Sequence, residues 1–303
     1  MNLEPIRDHR WPFFLCAIFL LTAGAVYYRA PRERKASSPL PYATSQGVPG
    51  ALVICGGGDL PDTLREEFVR LAGGPQARIV VFLTAGDDED LEDDEVDVLQ
   101  LFRAFHPASI TYLHTRQKDI ANDPNFSIPL RQATGVWFVG GKQTSLANSY
   151  TGTLVDTELH ALLSRGGVIG GTSAGAAIMS RVMIVRGKVY RDPGLDFLPG
   201  AIIDQHFIAR NRKPRLQAVM ADYPGLFGVG IDEATALVVQ GREMRALGRS
   251  TVTLLLKPTK TEPEREVVLK SGEVADLTEY RKLARARAWS ELSSKTRFES
   301  SVR

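Results

Sequence analysis

Cysteine is almost absent from this chain of 303 residues: Cys16 and Cys55 are the only two. Two thiols cannot build a disulfide scaffold or a cysteine-rich zinc site. An excess of charge of one sign is missing as well, because 37 Lys and Arg stand against 35 Asp and Glu. With no basic stretch interleaved with aromatics, the chain has neither the field nor the stacking surface of a nucleic-acid binder. No group of His, Cys and carboxylates has metal-ligand spacing, so no metal is expected. The acidic run 87–97 lacks the spacing and central glycine of a calcium loop, and reads as a solvated loop and helix start. Gly135 and Gly140 approximate a phosphate-binding loop, but Gly141 stands where its lysine belongs. There is no internal repeat.

Long apolar runs are equally scarce, with one exception. Residues 11–28 carry no charge, and 18 residues of helix span roughly 27 Å, near the hydrocarbon thickness of a bilayer. Arg7 and Arg10 precede this run and Ala23-Gly24-Ala25 resembles a cleavage site, as in a signal peptide. The run continues through Tyr27 and Tyr28, and Arg29, Arg32, Arg34 and Lys35 follow, as at the end of a retained anchor with its C-terminal flank in the cytoplasm. Either way residues 1–29 are expected to target a membrane, leaving the chain anchored by one segment or exported after cleavage, with the side open. The Pro- and Ser-containing stretch 30–48 reads as a linker, 49–292 as the main domain and 293–303 as a polar tail.

The main domain is rich in alternation. Short apolar runs at 51–55, 78–84, 110–113, 135–139 and 167–170 alternate with helical patterns at 60–71, 154–163 and 174–180. The run 78–84 is continuous and β-branched, as in a strand buried on both faces, and 110–113 and 135–139 look similar. This is the signature of an α/β fold: a three-layer α/β/α sandwich around a mostly parallel sheet. Closely spaced short strands after residue 228 predict an antiparallel C-terminal extension on one edge, and 276–292 reads as a closing helix with Asp276 and Glu279 as a capping box. Glycine clusters fall at three predicted strand ends, where such folds bind ligands.

One of these clusters is Gly171-Thr172-Ser173-Ala174-Gly175, a G-x-S-x-G pentapeptide between a predicted strand and a predicted helix. Small flanking residues allow a sharp turn that projects the hydroxyl, and the next amide, of Ala174, is placed to stabilise an oxyanion. A serine nucleophile needs a base, and the domain offers His106, His114, His160 and His206. His206 sits where the apolar run 201–203 meets polar residues, the expected strand-end position. The orienting acid is Asp232 or Glu233, and spacing does not separate them. Cys55, inside an apolar strand, reads as a small buried hydrophobe rather than a rival nucleophile.

Taken together, Gly171-Thr172-Ser173-Ala174-Gly175-Ala176, Ile203-Asp204-Gln205-His206-Phe207 with Arg210, Arg212 and Arg215 following, and the segment 230–237 beginning Gly230-Ile231-Asp232-Glu233 resemble the cyanophycinase branch of the cyanophycinase and dipeptidase E serine peptidases. Gly140-Gly141-Lys142-Gln143 is similar to that family's loop at the preceding strand end. The resemblance spans roughly residues 50–257 and implies a glutamine-amidotransferase-like, flavodoxin-like sandwich. It implies Ser173 as nucleophile, His206 as base and Glu233 as orienting acid, with Ala174 and Gly141 at the oxyanion. It further implies Gln143, Asp204, Gln205, Arg210, Arg212 and Arg215 as pocket residues, no cofactor, a homodimer, and a peptide substrate of the cyanophycin type.

Cyanophycin is a polyaspartate bearing β-linked arginine, so arginine forks suit its carboxylates and Asp204 suits a guanidinium or amine. Lys142 departs from the pattern, since the family loop usually has an acid there, and the reversed charge bears on substrate choice. Two alternatives stand beside this: a dipeptidase for other aspartyl or isoaspartyl peptides, and a catalytically silent membrane-tethered binding protein. An intact Ser173, His206 and Glu233 argue against silence.

Overall fold

Val48–Cys55 is the strand from which the architecture grows, since seven of its eight residues are buried or half-buried and five in succession are fully enclosed. The computed structural model describes residues 47–86, 100–185, 188–189 and 193–301. The apolar segment 11–28, almost all of the linker and the acidic run 87–97 lie outside them. No helix among the described residues is long and apolar enough to cross a membrane.

In chain order the elements are β1 (Val48–Cys55), α1 (Asp62–Leu71), β2 (Arg78–Phe82), β3 (Ser109–Leu113), α2 (Lys118–Ala121), α3 (Ile128–Gln132), β4 (Gly135–Phe138), α4 (Gln143–Tyr150), α5 (Leu154–Ser164), β5 (Val168–Thr172) and α6 (Ala174–Ala177). There follow the small hairpin β6 (Ile184–Val185) and β7 (Lys188–Val189), β8 (Ala201–Gln205), α7 (Lys213–Asp222), β9 (Phe227–Ile231), β10 (Thr235–Gly241), β11 (Glu243–Gly248), β12 (Thr251–Leu256), β13 (Arg265–Lys270), β14 (Val274–Asp276) and α8 (Leu277–Ser301).

Among the described residues the main sheet has eight strands in the order β14-β11-β10-β1-β5-β4-β2-β3. From β1 through β5, β4 and β2 to β3 every pairing is parallel; from β1 through β10 and β11 to β14 every pairing is antiparallel. Helices cover both faces. Gly170 of β5 faces α1, so close beneath Phe68 and Trp137 that an added Cβ would lie 2.4 Å from the indole. Its neighbour Gly171 points the other way, as strand alternation requires, and meets Gly175 of α6. Interlocked rings of Phe68, Phe102 and Trp137, at centroid distances of 5.0–5.6 Å, fill the α1 side. The result is the expected α/β sandwich around a mixed sheet.

The antiparallel extension differs from expectation. Its strands are shared between two sheets: β10 and β11 extend the main sheet, whereas β9 and β12 join β8 and β13 in a second, four-stranded sheet of order β13-β12-β9-β8. Pairing β8 with β9 is parallel and the rest antiparallel. This second sheet buries its own core, with Ile202, Phe207, Leu216, Met220 and Leu255, against α7. Run 110–113 was expected to resemble the buried strands; β3 instead closes an edge of the main sheet and leaves Tyr112 exposed. The closing helix continues through the expected polar tail to Ser301, and Asp276 caps its start by accepting from the Glu279 amide at 2.9 Å.

Candidate active site

Ser173 occupies the single turn between β5 and α6 with φ +51° and ψ −104°, a conformation that side chains with a Cβ rarely adopt and that must be held by its surroundings. The helix that follows is only four residues long, shorter than the expected 174–180, so its contribution at Ser173 reduces to the amides of that turn. His206 follows β8 directly, also at positive φ (+50°). Glu233 lies in the connection from β9 to β10. The serine thus comes from the main sheet, the histidine from the second sheet, and the acid from the chain passing between them.

What brings the three together is the end of β1. The carbonyl of Cys55 accepts from the Ser173 amide (3.1 Å), that of Gly56 from the His206 amide (2.8 Å), and that of Gly57 from the Ala234 amide, next to Glu233 (2.9 Å). Three successive carbonyls therefore anchor three separate loops. Gly57 has φ +100°, and a Cβ there would lie 2.3 Å from Cε1 of the His206 ring. The glycine cluster at 56–58 is the floor on which the imidazole and the Glu233 side chain rest.

The side chains form a continuous hydrogen-bonded line. Ser173 Oγ lies 2.8 Å from His206 Nε2, and His206 Nδ1 lies 2.6 Å from Glu233 Oε1. A neutral imidazole that donates from Nδ1 to the carboxylate leaves Nε2 free to accept from the hydroxyl. The His206 ring is buried, whereas Glu233 is about a third exposed at 37%. Burial pushes the His206 pKa below its ordinary 6.5; the Glu233 hydrogen bond opposes this, and the charges of Arg210 and Arg212 reinforce it. Cys55 is buried too, and burial pushes its thiol up to about 12, so it stays protonated.

The remaining residues singled out by sequence divide into those at this line and those engaged elsewhere. Gly140 abuts Ser173, since a Cβ on it would touch the serine Cβ at 3.7 Å, and Gly141 follows at φ +130° beside Ala85. Lys142 is exposed at the start of α4, and the Gln143 side chain donates to the Ile184 carbonyl at 3.0 Å, tying the β6–β7 hairpin to α4. Asp204 is fully buried and does receive a guanidinium, but that of Arg215, which forks onto both its oxygens through Nε (2.7 Å) and Nη2. Arg212 donates to the Gln205 carbonyl at 2.7 Å and stands 3.7 Å from Asp204. Burial first, then the charge of Arg215, lowers the Arg212 pKa to about 10. Arg210 is exposed in the turn after His206. Asp232, the alternative acid, spends its carboxylate on Ile208, Ala209 and Ser250. His160 lies in α5 with Nε2 on the Leu195 carbonyl at 2.8 Å. No group of three or more His, Cys, Asp or Glu placed to hold a metal occurs among the described residues.

The pattern of peptidase family S51 matches residues 52–247. The chain belongs to this family. It is a serine-type peptidase. A cyanophycinase from Geminocystis herdmanii (strain PCC 6308) is 30% identical over 201 residues, 63% of this chain and 73% of that protein. A cyanophycinase from Synechococcus elongatus is 30% identical over 255 residues, 78% of this chain and 77% of the other. In fold, the chain is similar to a peptidase from an acI-B1 Actinobacterium, with a TM-score of 0.61 at 20% identity, covering 78% of this chain and 99% of the other.

In this S51 peptidase the glycines 56–58, expected only as one of the strand-end clusters, also shape the floor under the imidazole, and their signal in the chain is three successive glycines closing an apolar strand. Their geometry predicts that Gly57→Ala remains folded yet loses hydrolysis. The added methyl collides with the imidazole, and displacing a reacting group by about 1 Å costs on the order of 10²-fold in kcat. Circular dichroism and steady-state kinetics on the same preparation check this; wild-type kcat in a folded variant contradicts it.

Proposed function

We propose that Ser173, His206 and Glu233 are nucleophile, base and orienting acid of an exopeptidase or isopeptidase of cyanophycinase type, acting on β-aspartyl-arginine peptides. The observation that carries this reading is the unbroken line from Ser173 Oγ through His206 to Glu233. Ser173 Oγ attacks the scissile carbonyl carbon while its proton passes to His206 Nε2, and Glu233 stabilises the imidazolium through Nδ1–H. The amides of Ala174 and Gly141 take the developing oxyanion. His206 then returns the proton to the leaving amine, and water, deprotonated by the same imidazole, hydrolyses the acyl-serine ester.

The substrate assignment is supported by the two cyanophycinases at 30% identity and by the cations Arg210 and Arg212 beside His206, which suit substrate carboxylates. One observation favours a second reading, a dipeptidase for other aspartyl or isoaspartyl peptides. Asp204, the acid suited to a substrate guanidinium, is buried and already forked by Arg215, and the exposed residue before Gln143 is Lys142.

Comparing kcat/KM on a β-aspartyl-arginine dipeptide with that on an uncharged β-aspartyl analogue decides between them. The cyanophycinase-type reading expects the arginine peptide to be preferred, and Lys142→Asp to increase the preference, because an acid there attracts a guanidinium that a lysine repels. Ser173→Ala and His206→Ala each lose at least about 10³-fold, whereas His160→Ala stays near wild type. Preference for the uncharged analogue supports the dipeptidase reading, and activity of Ser173→Ala within a few-fold of wild type removes both.

A second expectation concerns pH. His206 must be neutral to accept the serine proton, and its folded pKa lies below the ordinary value, so kcat/KM should fall only as pH drops through a point below 6.5. The groups facing the imidazole are Glu233, which raises its pKa, and Arg210 and Arg212, which lower it. Arg210→Ala removes one cation and should move this acid limb to higher pH. A limb above 6.5 in the wild type, or a downward move in the variant, contradicts the assignment of His206 as base.

A further inference from the structure

Asp232 stands beside Glu233 and is 8% exposed, yet both its oxygens are engaged away from the imidazole. Oδ1 accepts from the amides of Ile208 (3.0 Å) and Ala209 (2.9 Å), in the turn that begins at His206. Oδ2 accepts from Ser250 Oγ at 2.7 Å. Ser250 lies in the connection from β11 to β12, where the chain leaves the main sheet for the second sheet. Its amide donates to Thr235 Oγ1 (2.8 Å), and that hydroxyl donates to the Glu233 carbonyl (3.2 Å). Asp232 itself is fixed through its amide to the Thr251 carbonyl at 3.2 Å. Three loops are therefore cross-linked by side chains: the one that carries His206, the one that carries Glu233, and the crossover between the sheets.

We propose that Asp232 and Ser250 are positioning residues that hold the histidine-bearing turn against the acid-bearing turn, and so set the His206–Glu233 hydrogen bond. The inference rests on the triad reading. Backbone contacts hold the base of each loop: the carbonyls of Gly56 and Gly57 accept from the His206 and Ala234 amides, the Ile231 carbonyl from the Phe207 amide, and the Ala234 carbonyl from the Arg249 amide. Asp232 adds a side-chain link further along the histidine-bearing turn, at the amides two and three residues beyond His206, from a position one residue before Glu233. A carboxylate oxygen shared by adjacent amides is a strong, directional acceptor. Burial pushes the Asp232 carboxyl up, but hydrogen bonds from Ala209, Ser250, Glu233 and Ile208 outweigh it and hold its pKa below the ordinary value, which favours the ionised acceptor.

The test uses inactivation of the full chain by a fluorophosphonate probe, which needs no knowledge of the substrate. In Asp232→Ala the limiting inactivation rate should fall about 10²-fold with the probe's binding constant unchanged, because the serine and its surroundings remain while the base is misplaced. Asp232→Asn should recover to within a few-fold of wild type. Its Oδ1 still accepts both amides and its Nδ2–H reaches the Ser250 oxygen. Ser250→Ala, a milder change should Asp232→Ala fail to fold, should slow inactivation by a smaller factor. The far-downfield proton resonance of His206 Nδ1–H should weaken in parallel with each loss.

Wild-type inactivation and an unchanged resonance in Asp232→Ala, or an Asn variant as slow as the Ala variant, overturns the positioning role. Ser173→Ala separates the two failures: if it is still labelled, the triad reading falls and takes this inference with it. If it is silent while the Asp232 and Ser250 variants behave as wild type, only the inference falls.

Discussion

The acceptance of three amides by three successive carbonyls, Cys55, Gly56 and Gly57, is the contact on which the rest of the site depends. Ser173 and His206 belong to different sheets, and side-chain packing alone seldom fixes two sheets to the tolerance that a 2.8 Å hydrogen bond demands. Backbone hydrogen bonds to one rigid edge do so at little entropic cost, because β1 is already immobilised between β10 and β5. The absence of side chains on the carbonyl-bearing glycines is part of the same solution, since the imidazole occupies the space where a Cβ of residue 57 would stand.

The electrostatics follow from this placement. Drawing His206 into the junction removes it from water and favours the neutral ring that its proposed role as base requires, with Glu233 hydrogen-bonded to its Nδ1. Beneath the histidine, Asp204 carries an uncompensated cost if left alone: it is fully enclosed, and burial pushes its carboxyl pKa upward against the Arg215 fork. Removing one partner of such a buried pair typically costs about 3–5 kcal/mol. The fork ties the end of β8 to α7, so this arginine, which family resemblance points toward a substrate, contributes within the chain to the footing of the histidine loop. Arg210, one turn beyond His206, is exposed.

Much of the architecture could be read from residues alone. The βαβ alternation marks the sandwich, because buried parallel strands need continuous apolar runs, and Ser173 is conspicuous because a serine between glycines at a strand end has few other uses. Less legible was the division into two sheets: β9 and β10 are equally apolar, and no local pattern says that the three residues between them cross from one sheet to the other. The β3 strand looked buried because its Ile110 and Leu113 match the central strands, while its edge position depends on partners distant in sequence. Asp232 and Glu233 were inseparable by spacing, since adjacent residues in a loop point in directions that only the fold determines. Asp204 and Arg215, 11 residues apart, suit a substrate as well as each other until α7 is placed over β8. Residue chemistry thus marks the candidates, and long-range placement decides which of their charged groups face outward.

Mass-spectrometric mapping of the protein after exposure to a fluorophosphonate tests the arrangement most directly. The account predicts one stoichiometric adduct, on the peptide containing Ser173, absent from His206→Ala at neutral pH. An adduct on another residue, or labelling of Ser173 that persists undiminished without His206, would contradict it.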